Sequence, residues 1–335
     1  QKITIKDIAR LSGVGVSTVS RVVNNRPDVK EETRQRVLQV VEELSYVPNA
    51  NAKHLKQHST DTIAVIIRGA TNEFFSGITP LMQQNIEQAG YHFLAAYIDE
   101  KDDEIGEAVR FCTEKKVRGI IFLGGSPVGK EEELSSLGVP CVFSTTGAAS
   151  IEQDGVYSVS VDDREAAACA IDYLFENGHR SIAVVGGKRE RENSIGLRFQ
   201  GVLESFEKNK TKFDERLYFS SEFSLASAYR AMRDGLAKNT PFTAVFAMSD
   251  VMAMGACRAI MDSGRSVPND ISVIGFDGIE MARFYNPTIA TIRQPAKEIA
   301  YHSVDRVLSA IENKNTTRHI TLPIKLVEGD SVRKI

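Results

Sequence analysis

The chain has 335 residues, 42% of them hydrophobic and 25% charged, with a formal net charge of −3. That length predicts two or three domains with cores of their own, and the ordinary apolar fraction excludes a disordered or low-complexity chain. Four scattered cysteines without a CxxC pair argue against a disulfide scaffold or a zinc site, and no apolar run approaches a membrane span.

Charge is distributed unevenly along the chain. Residues 1–60 hold ten Lys/Arg against six Asp/Glu, a net of +4, while the remainder holds 31 against 38, a net of −7. A basic head on an acidic body is a footprint of a nucleic-acid-binding module joined to another domain. Up to Ser45 the apolar residues recur at steps of three and four, which predicts short helices. The sets are Ile5/Ile8/Ala9, Val19/Val22/Val23 and Val37/Leu38/Val41/Leu44. Thr4 with Asp7 resembles a capping box at the first helix start. Gly13 and Gly15 punctuate the gap to the second helix, and Pro48 ends the third.

Asn49–Lys56 is too short to be a stable helix in water, yet it offers Asn49 as a cap with Ala52 and Leu55 at an i, i+3 spacing. From Thr62 onward, apolar β-rich runs alternate with helical stretches: Ile63–Ile67, Phe93–Ile98, Gly119–Leu123, Cys141–Phe143, Ile182–Val185, Ala244–Met248 and Ile271–Phe276. Continuous rather than alternating apolar runs predict strands covered on both faces, as in parallel α/β sheets. The pattern occurs twice, meeting near residue 160, so two Rossmann-like lobes with a cleft between them are expected. Ligands in such sheets bind beyond the carboxyl ends of strands. Candidate lining residues therefore follow strands: Asn72–Phe75, Ser249, Asp250 and Asp277.

Two short helices around a glycine-containing turn form the helix–turn–helix pattern. Ser17, Arg21 and Asn24 share one face of the second helix at i, i+4 and i+7, opposite the valines. Arginine matches guanine O6 and N7, and hydroxyls such as Thr18 and Ser20 suit phosphate oxygens. The bland alternative is an ordinary three-helix cap with a polar face.

Two further motifs compete for other functions. Gly124-x4-Gly129-Lys130 follows a strand, as a phosphate-binding loop does, but Glu131 stands where a Ser/Thr would ligate magnesium. Its carboxylate would repel phosphate, which disfavours nucleotide hydrolysis; no His/Ser/Asp spacing suggests a nucleophilic triad, and neither an enzymatic activity nor a cofactor is expected. Lys188, Arg189 and Arg191 form a basic run interleaved with Glu190 and Glu192, which favours a solvated loop over a phosphate site.

Ile3–Asn25, with TVSRVVN at Thr18–Asn24, YVPNANAKHL at Tyr46–Leu55 and the closing LVEGDSV at Leu326–Val332, closely resembles the lactose-repressor (LacI/GalR) family of bacterial transcription regulators. The resemblance implies base-reading positions at Val16, Ser17 and Arg21, and phosphate-facing positions at Thr4, Lys6, Thr18, Ser20, Asn24 and Thr33. It implies a hinge helix that orders on DNA, with Leu55 wedged into a minor-groove step. For the body it adds Arg198, from SIGLRFQG, as partner of Asp277 on a sugar's vicinal hydroxyls, and Phe223 as a stacking ring beside Phe75. Two positions often polar in sugar-binding members are Leu123 and Thr145 here.

The expected architecture is a helix–turn–helix head at 1–46 and a hinge at 47–60. One periplasmic-binding-protein-like lobe then takes 61–160 plus 292–320, and the other 161–291 plus 321–335. The expected protein is a repressor, cytoplasmic and without a membrane partner, whose partners are double-stranded operator DNA, a small-molecule effector of sugar type and a second copy of the chain. No leucine heptad follows Val332, which favours dimer over tetramer. A periplasmic solute-binding protein shares the two-lobe body, but the missing signal segment and the basic head disfavour it.

Overall fold

The computed structural model describes residues 5–23, 29–44, 61–69, 72–99, 102–189 and 193–335. The chain divides into two compact units, Gln1–His58 and Ser59–Ile335.

In the first unit, α1 (Ile5–Ser12), α2 (Val16–Val23) and α3 (Glu31–Glu43) enclose a small core of Ile8, Ala9, Val19, Val22 and Val37. The turn between α1 and α2 places Gly13 at φ +68°, a conformation that costs a residue with a Cβ far more than glycine. The Ser12 hydroxyl donates back to the Ile8 carbonyl at 2.6 Å, closing α1. Leu38 departs from its expected core position. It is 45% exposed, and Val40 packs on the core instead, because α3 turns its 37/40/41/44 stripe inward.

The second unit contains two six-stranded sheets. In the first, the order is β11-β5-β4-β3-β1-β2, all parallel, from β1 (Thr62–Arg68), β2 (His92–Ile98), β3 (Gly119–Leu123), β4 (Cys141–Ser144), β5 (Val156–Val161) and β11 (His319–Leu322). Helices α4 (Glu73–Gln88), α5 (Glu104–Arg110), α6 (Glu131–Ser136) and α12 (Ala296–Ile311) accompany it. The second sheet runs β12-β10-β9-β8-β6-β7, from β6 (Ile182–Gly186), β7 (Tyr218–Ser220), β8 (Ala244–Ala247), β9 (Ser272–Asp277), β10 (Ala290–Arg293) and β12 (Lys325–Val327). Only β12 pairs antiparallel there. Its helices are α7 (Asp163–Glu176), α8 (Ser194–Lys208), α9 (Leu225–Ala237), α10 (Asp250–Asp262) and α11 (Glu280–Phe284).

Central strands β1, β3, β4, β6, β8 and β9 are buried almost throughout, as continuous apolar runs require, whereas edge strand β2 is half-buried. In each sheet the strand order reverses beside the first strand, between β1 and β3 and between β6 and β8, which opens a crevice at the carboxyl ends. The chain passes between the sheets three times, at Asp162, at Gln294–Pro295 and at Pro323–Ile324. The first sheet thus extends to Leu322, two residues past the expected 320, and β10 keeps Ile292 and Arg293 in the second. Among the described residues, no helix is long and apolar enough to cross a membrane.

Candidate functional site

A cavity of about 1110 Å³ lies where the carboxyl ends of the two sheets face each other. Each wall is built from residues at or just past a strand end: Arg68 closing β1 and Asn72 after it, Gly125 and Ser126 after β3, Thr145 after β4, Lys188 after β6, Glu222 and Phe223 after β7, Asp277 closing β9 and Gln294 after β10. Asn72 caps α4 by accepting from the Phe74 amide, and Phe75 in the next turn also lines the space.

The wall of the second lobe is a buried charged network. Arg198, 6% exposed, donates from Nε to Asp163 Oδ1 at 2.7 Å and from Nη1 to the Met248 carbonyl at 2.6 Å. Its guanidinium lies 3.6 Å from the centre of the Phe276 ring, a cation–π contact in a desolvated setting. Burial raises the Asp163 carboxyl above the ordinary range, and Arg198 opposes the rise. Asp277 accepts from Gln294 Nε2 at 2.8 Å, and its backbone sits at φ 107°. Burial pushes its carboxyl up to about 7, again against the pull of Arg198. Arg198 and Asp277, expected as partners on a ligand, both line the cavity, with Arg198 Nε engaged by Asp163 and Nη1 by the Met248 carbonyl.

Ser249 and Asp250 also follow a strand, yet neither lines the cavity. Ser249 is 2% exposed and caps α10 by accepting from the Met252 amide, and Asp250, fully buried, accepts from the Ile279 amide at 2.8 Å. Burial, with Asp277 nearby, pushes the Asp250 carboxyl up to about 8. Helix capping uses the Ser249 hydroxyl and loop anchoring uses Asp250 Oδ2, while Asp250 Oδ1 is buried without a hydrogen-bond partner. Leu123 is fully buried, while Thr145 lines the cavity at φ 72°.

On the first lobe's wall, sequence reasoning missed Arg68 and Glu104, and weighed Lys130 only as part of a nucleotide-phosphate loop. Glu104, 1% exposed, receives Arg68 Nε at 3.1 Å, Lys130 Nζ at 2.5 Å and the Ser126 amide at 3.2 Å. Within the Gly124–Lys130 loop, the Gly129 amide donates to Glu131 Oε1 at 3.3 Å. The chain's own carboxylates therefore occupy donors that a nucleotide phosphate would need. Lys188 of the basic run lines the cavity, but Arg189 turns away to Glu215 at 2.8 Å and stacks on Phe199 and Tyr218.

In the head, Val16 is 43% exposed, Ser17 and Arg21 are exposed, and Thr18, Ser20 and Thr33 are half-buried. One polar face of α2 thus faces solvent while Val19 and Val22 fill the core. Thr4, the Lys6 side chain and Asn24 lie outside the described residues, as do Asn49, Ala52 and Leu55. Among the described residues, no cluster of His, Cys, Asp and Glu could hold a metal ion.

Comparison with known proteins gives two family matches. Residues 4–49 match the model "Bacterial regulatory proteins, lacI family", and residues 171–332 match a periplasmic binding protein-like domain. The HTH-type transcriptional regulator MalR of Clostridium butyricum is 38% identical over 333 residues, covering 98% of each chain. Among solved structures, the transcriptional regulator CelR–cellobiose complex matches with TM-score 0.73 and 28% identity over 98% of this chain and 99% of that one. The lac repressor dimer bound to operator and an anti-inducer matches with TM-score 0.78 and 25% identity over 99% and 100%.

Proposed function

The chain belongs to the lacI family of bacterial regulatory proteins and is a transcription regulator, and we propose that it is a repressor controlled by a sugar-type effector held between its two lobes. One observation carries this reading. A cavity large enough for a mono- or disaccharide sits at both topological switch points, with aromatic Phe75 and Phe223 beside the polar side chains of Asn72, Asp277 and Gln294. Rings against a sugar's apolar face and carboxylate or amide acceptors on its hydroxyls are the chemistry that recognises a polyol. The relatives support the ligand class, because one solved neighbour is a cellobiose complex.

Val16, Ser17 and Arg21 read bases in the major groove, while Thr4, Lys6, Thr18, Ser20, Asn24 and Thr33 hold phosphates. Val16, being apolar, meets a thymine methyl more naturally than a hydrogen-bonding edge. Asn49, Ala52 and Leu55 form the hinge, with Leu55 opening a minor-groove step. The head spans 1–46 and the hinge 47–60, and ligand in the cleft resets the lobes and biases the hinge. Such coupling is reciprocal, so operator DNA changes effector affinity by the same factor.

The working form is a cytoplasmic homodimer on a pseudo-palindromic site. A similar repressor is a dimer on its operator. Tyr97 on β2 and Met281 and Phe284 on α11, 59%, 50% and 73% exposed, are apolar side chains that a second copy would cover. The test is selection of duplexes from a random library by the full chain, followed by titration of sugars against the selected DNA. A two-fold-symmetric consensus whose binding shifts with a sugar is the expected result. A consensus without symmetry, or one that no sugar affects, would overturn the corresponding half of the proposal.

A further inference from the structure

Among the described residues, six with a side chain hold a positive φ, and four of them are ordinary. Lys116, Lys210, Asn239 and Asn313 each follow the last turn of a helix, where left-handed backbone is routine. The other two, Thr145 and Asp277, lie on the cleft wall. Asp277 is the more extreme, closing a strand at φ 107°, a conformation that glycine adopts freely and a residue with a Cβ does not. Such strain persists only where surrounding contacts impose it.

Those contacts converge on Asp250, behind the wall. Its Oδ2 accepts from the Ile279 amide at 2.8 Å, two residues past Asp277, and the Gly278 amide and Thr291 hydroxyl face the same carboxyl. Gly275 admits that carboxyl to the back of β9, because a Cβ there would collide with Oδ1. Burying Asp250 is unfavourable in itself, since the residue is fully buried and Oδ1 has no hydrogen-bond partner. Helix α10 does not require it as a cap, because Ser249 already accepts from the Met252 amide. The turn beyond Asp277 does require an anchor. Ile279 enters α11 and packs against the cores of both sheets. Asp277 in turn fixes Gln294, accepting from Nε2 at 2.8 Å, while the buried Gln294 Oε1 has no hydrogen-bond partner on the same cavity wall. Two acceptors available to a ligand thus depend on one turn.

We propose that Asp250 is a positioning residue of the effector site: without touching the ligand, it anchors the Gly278–Ile279 turn and so holds Asp277 in the left-handed backbone that presents Asp277 and Gln294 to the cleft. The inference rests on the cleft being the effector site and deepens that reading by adding a residue behind its wall. What Asp250 supplies is an acceptor at a fixed place. Shortening its side chain therefore releases Asp277, and an amide of the same shape replaces it.

The first measurement needs no ligand. Thermal unfolding of the full chain is compared with and without Asp277→Gly in the parent, Asp250→Ala and Asp250→Asn backgrounds, at about pH 5.5, where both acids are neutral and do not repel each other. Glycine relieves the strain at φ 107°, so the change in melting temperature on Asp277→Gly should be more favourable in the parent than in Asp250→Ala by roughly 2–12 °C. Asp250→Asn should behave as the parent does. Asp250→Ser, also too short to reach the Ile279 amide, replaces the alanine variant if that one does not fold. Equal changes in every background overturn the proposal. The second measurement is calorimetric titration with glucose, maltose and cellobiose. A sugar that binds the parent should bind Asp250→Ala about tenfold or more weakly, with the Asp250→Ala/Asp277→Ala double variant no worse than Asp277→Ala alone and with affinity restored in Asp250→Asn. Unchanged affinity in Asp250→Ala, or a loss that adds fully to that of Asp277→Ala, overturns the positioning role and leaves the sugar reading in place. If none of the three sugars binds the parent, the sugar reading falls, and the unfolding comparison alone decides whether Asp250 holds Asp277.

Discussion

Replacing Arg198 by Met removes one charge from a place where its partner cannot reach water. Asp163 is 3% exposed and opens α7, and Arg198 meets it at 2.7 Å. At that separation and an effective dielectric near ~20, the attraction is on the order of 6 kcal/mol. Much of it is offset by desolvation of the two ions. What counts in the variant is the abandoned carboxylate, and breaking one side of a buried pair costs about 3–5 kcal/mol. Methionine keeps the apolar stem over Phe276, so little of the loss comes from packing. For a unit of this size the deficit lowers the melting temperature by roughly 6–20 °C.

The deficit depends on pH. Asp163 already titrates above its ordinary value because it is buried, and without Arg198 it rises further. A carboxyl raised in the folded state costs nothing below its unfolded pKa, and stability is lost as pH climbs through the folded one. Thermal unfolding of Arg198→Met followed by circular dichroism between about pH 5 and about pH 8 should therefore show a gap from the parent that widens toward alkaline pH. The double variant Arg198→Met/Asp163→Asn should recover most of the gap at the alkaline end. A gap below ~1 kcal/mol throughout, or a double variant no more stable than the single one, would refute the reasoning.

Four other outcomes are expected. Asp277 titrates near 7, so a sugar whose hydroxyls donate to its carboxylate should bind more tightly as pH rises, by up to about tenfold per unit below that value; Asp277→Asn should abolish the dependence, and a flat parent profile in calorimetry would count against the contact. His179 is buried between Thr243 Oγ1 and the Arg333 carbonyl, and burial lowers its pKa; the protein should therefore lose stability as pH falls below about 6.5, with His179→Gln showing a smaller acid-induced drop in melting temperature. Leu55→Ala should weaken binding to selected operator far more than to random duplex, and Arg21→Ala should cost about 1–3 kcal/mol and relax the base preference at one position; equal losses on both DNAs, read by fluorescence anisotropy, would remove the wedge and the base contact.

How far these features could be read in the sequence depended on how local their causes are. Seven strands announced themselves as continuous apolar runs, six because they are buried on both faces and the edge strand β2 although it is only half-buried. The strand Val156–Val161 escaped, since its Ser158 and Ser160 break the run, although both hydroxyls are buried and Ser158 Oγ bonds the Ala148 amide and His319. The short strands Tyr218–Ser220, Ala290–Arg293, His319–Leu322 and Lys325–Val327 are defined by the neighbours they pair with rather than by composition. At the cleft, the strand-end rule pointed to Asn72 and Asp277, which line the cavity, and to Ser249 and Asp250, which lie buried behind it at the start of a helix. Arg68, Glu104 and Lys130 come from three separate segments. Nothing in a local window announces their convergence.

The three passages between sheets also bear on how the protein is made. Helix α12, at Ala296–Ile311, buries Ile299, Ala300, Val304 and Val307 against the core of the first sheet, five of whose six strands are complete by Val161. On the ribosome that core must wait for its covering helix while the whole second sheet up to β10 is synthesised, a delay on the order of ten seconds. The first-sheet strands are thus the earliest part of the body to be translated and among the last to be finished. The head, whose small core is contained within Ile8–Val37, has no such wait. A nascent chain stalled before α12 would expose the face formed by Ile63, Val65, Ile121 and Val142, and chaperone dependence should end when that helix emerges.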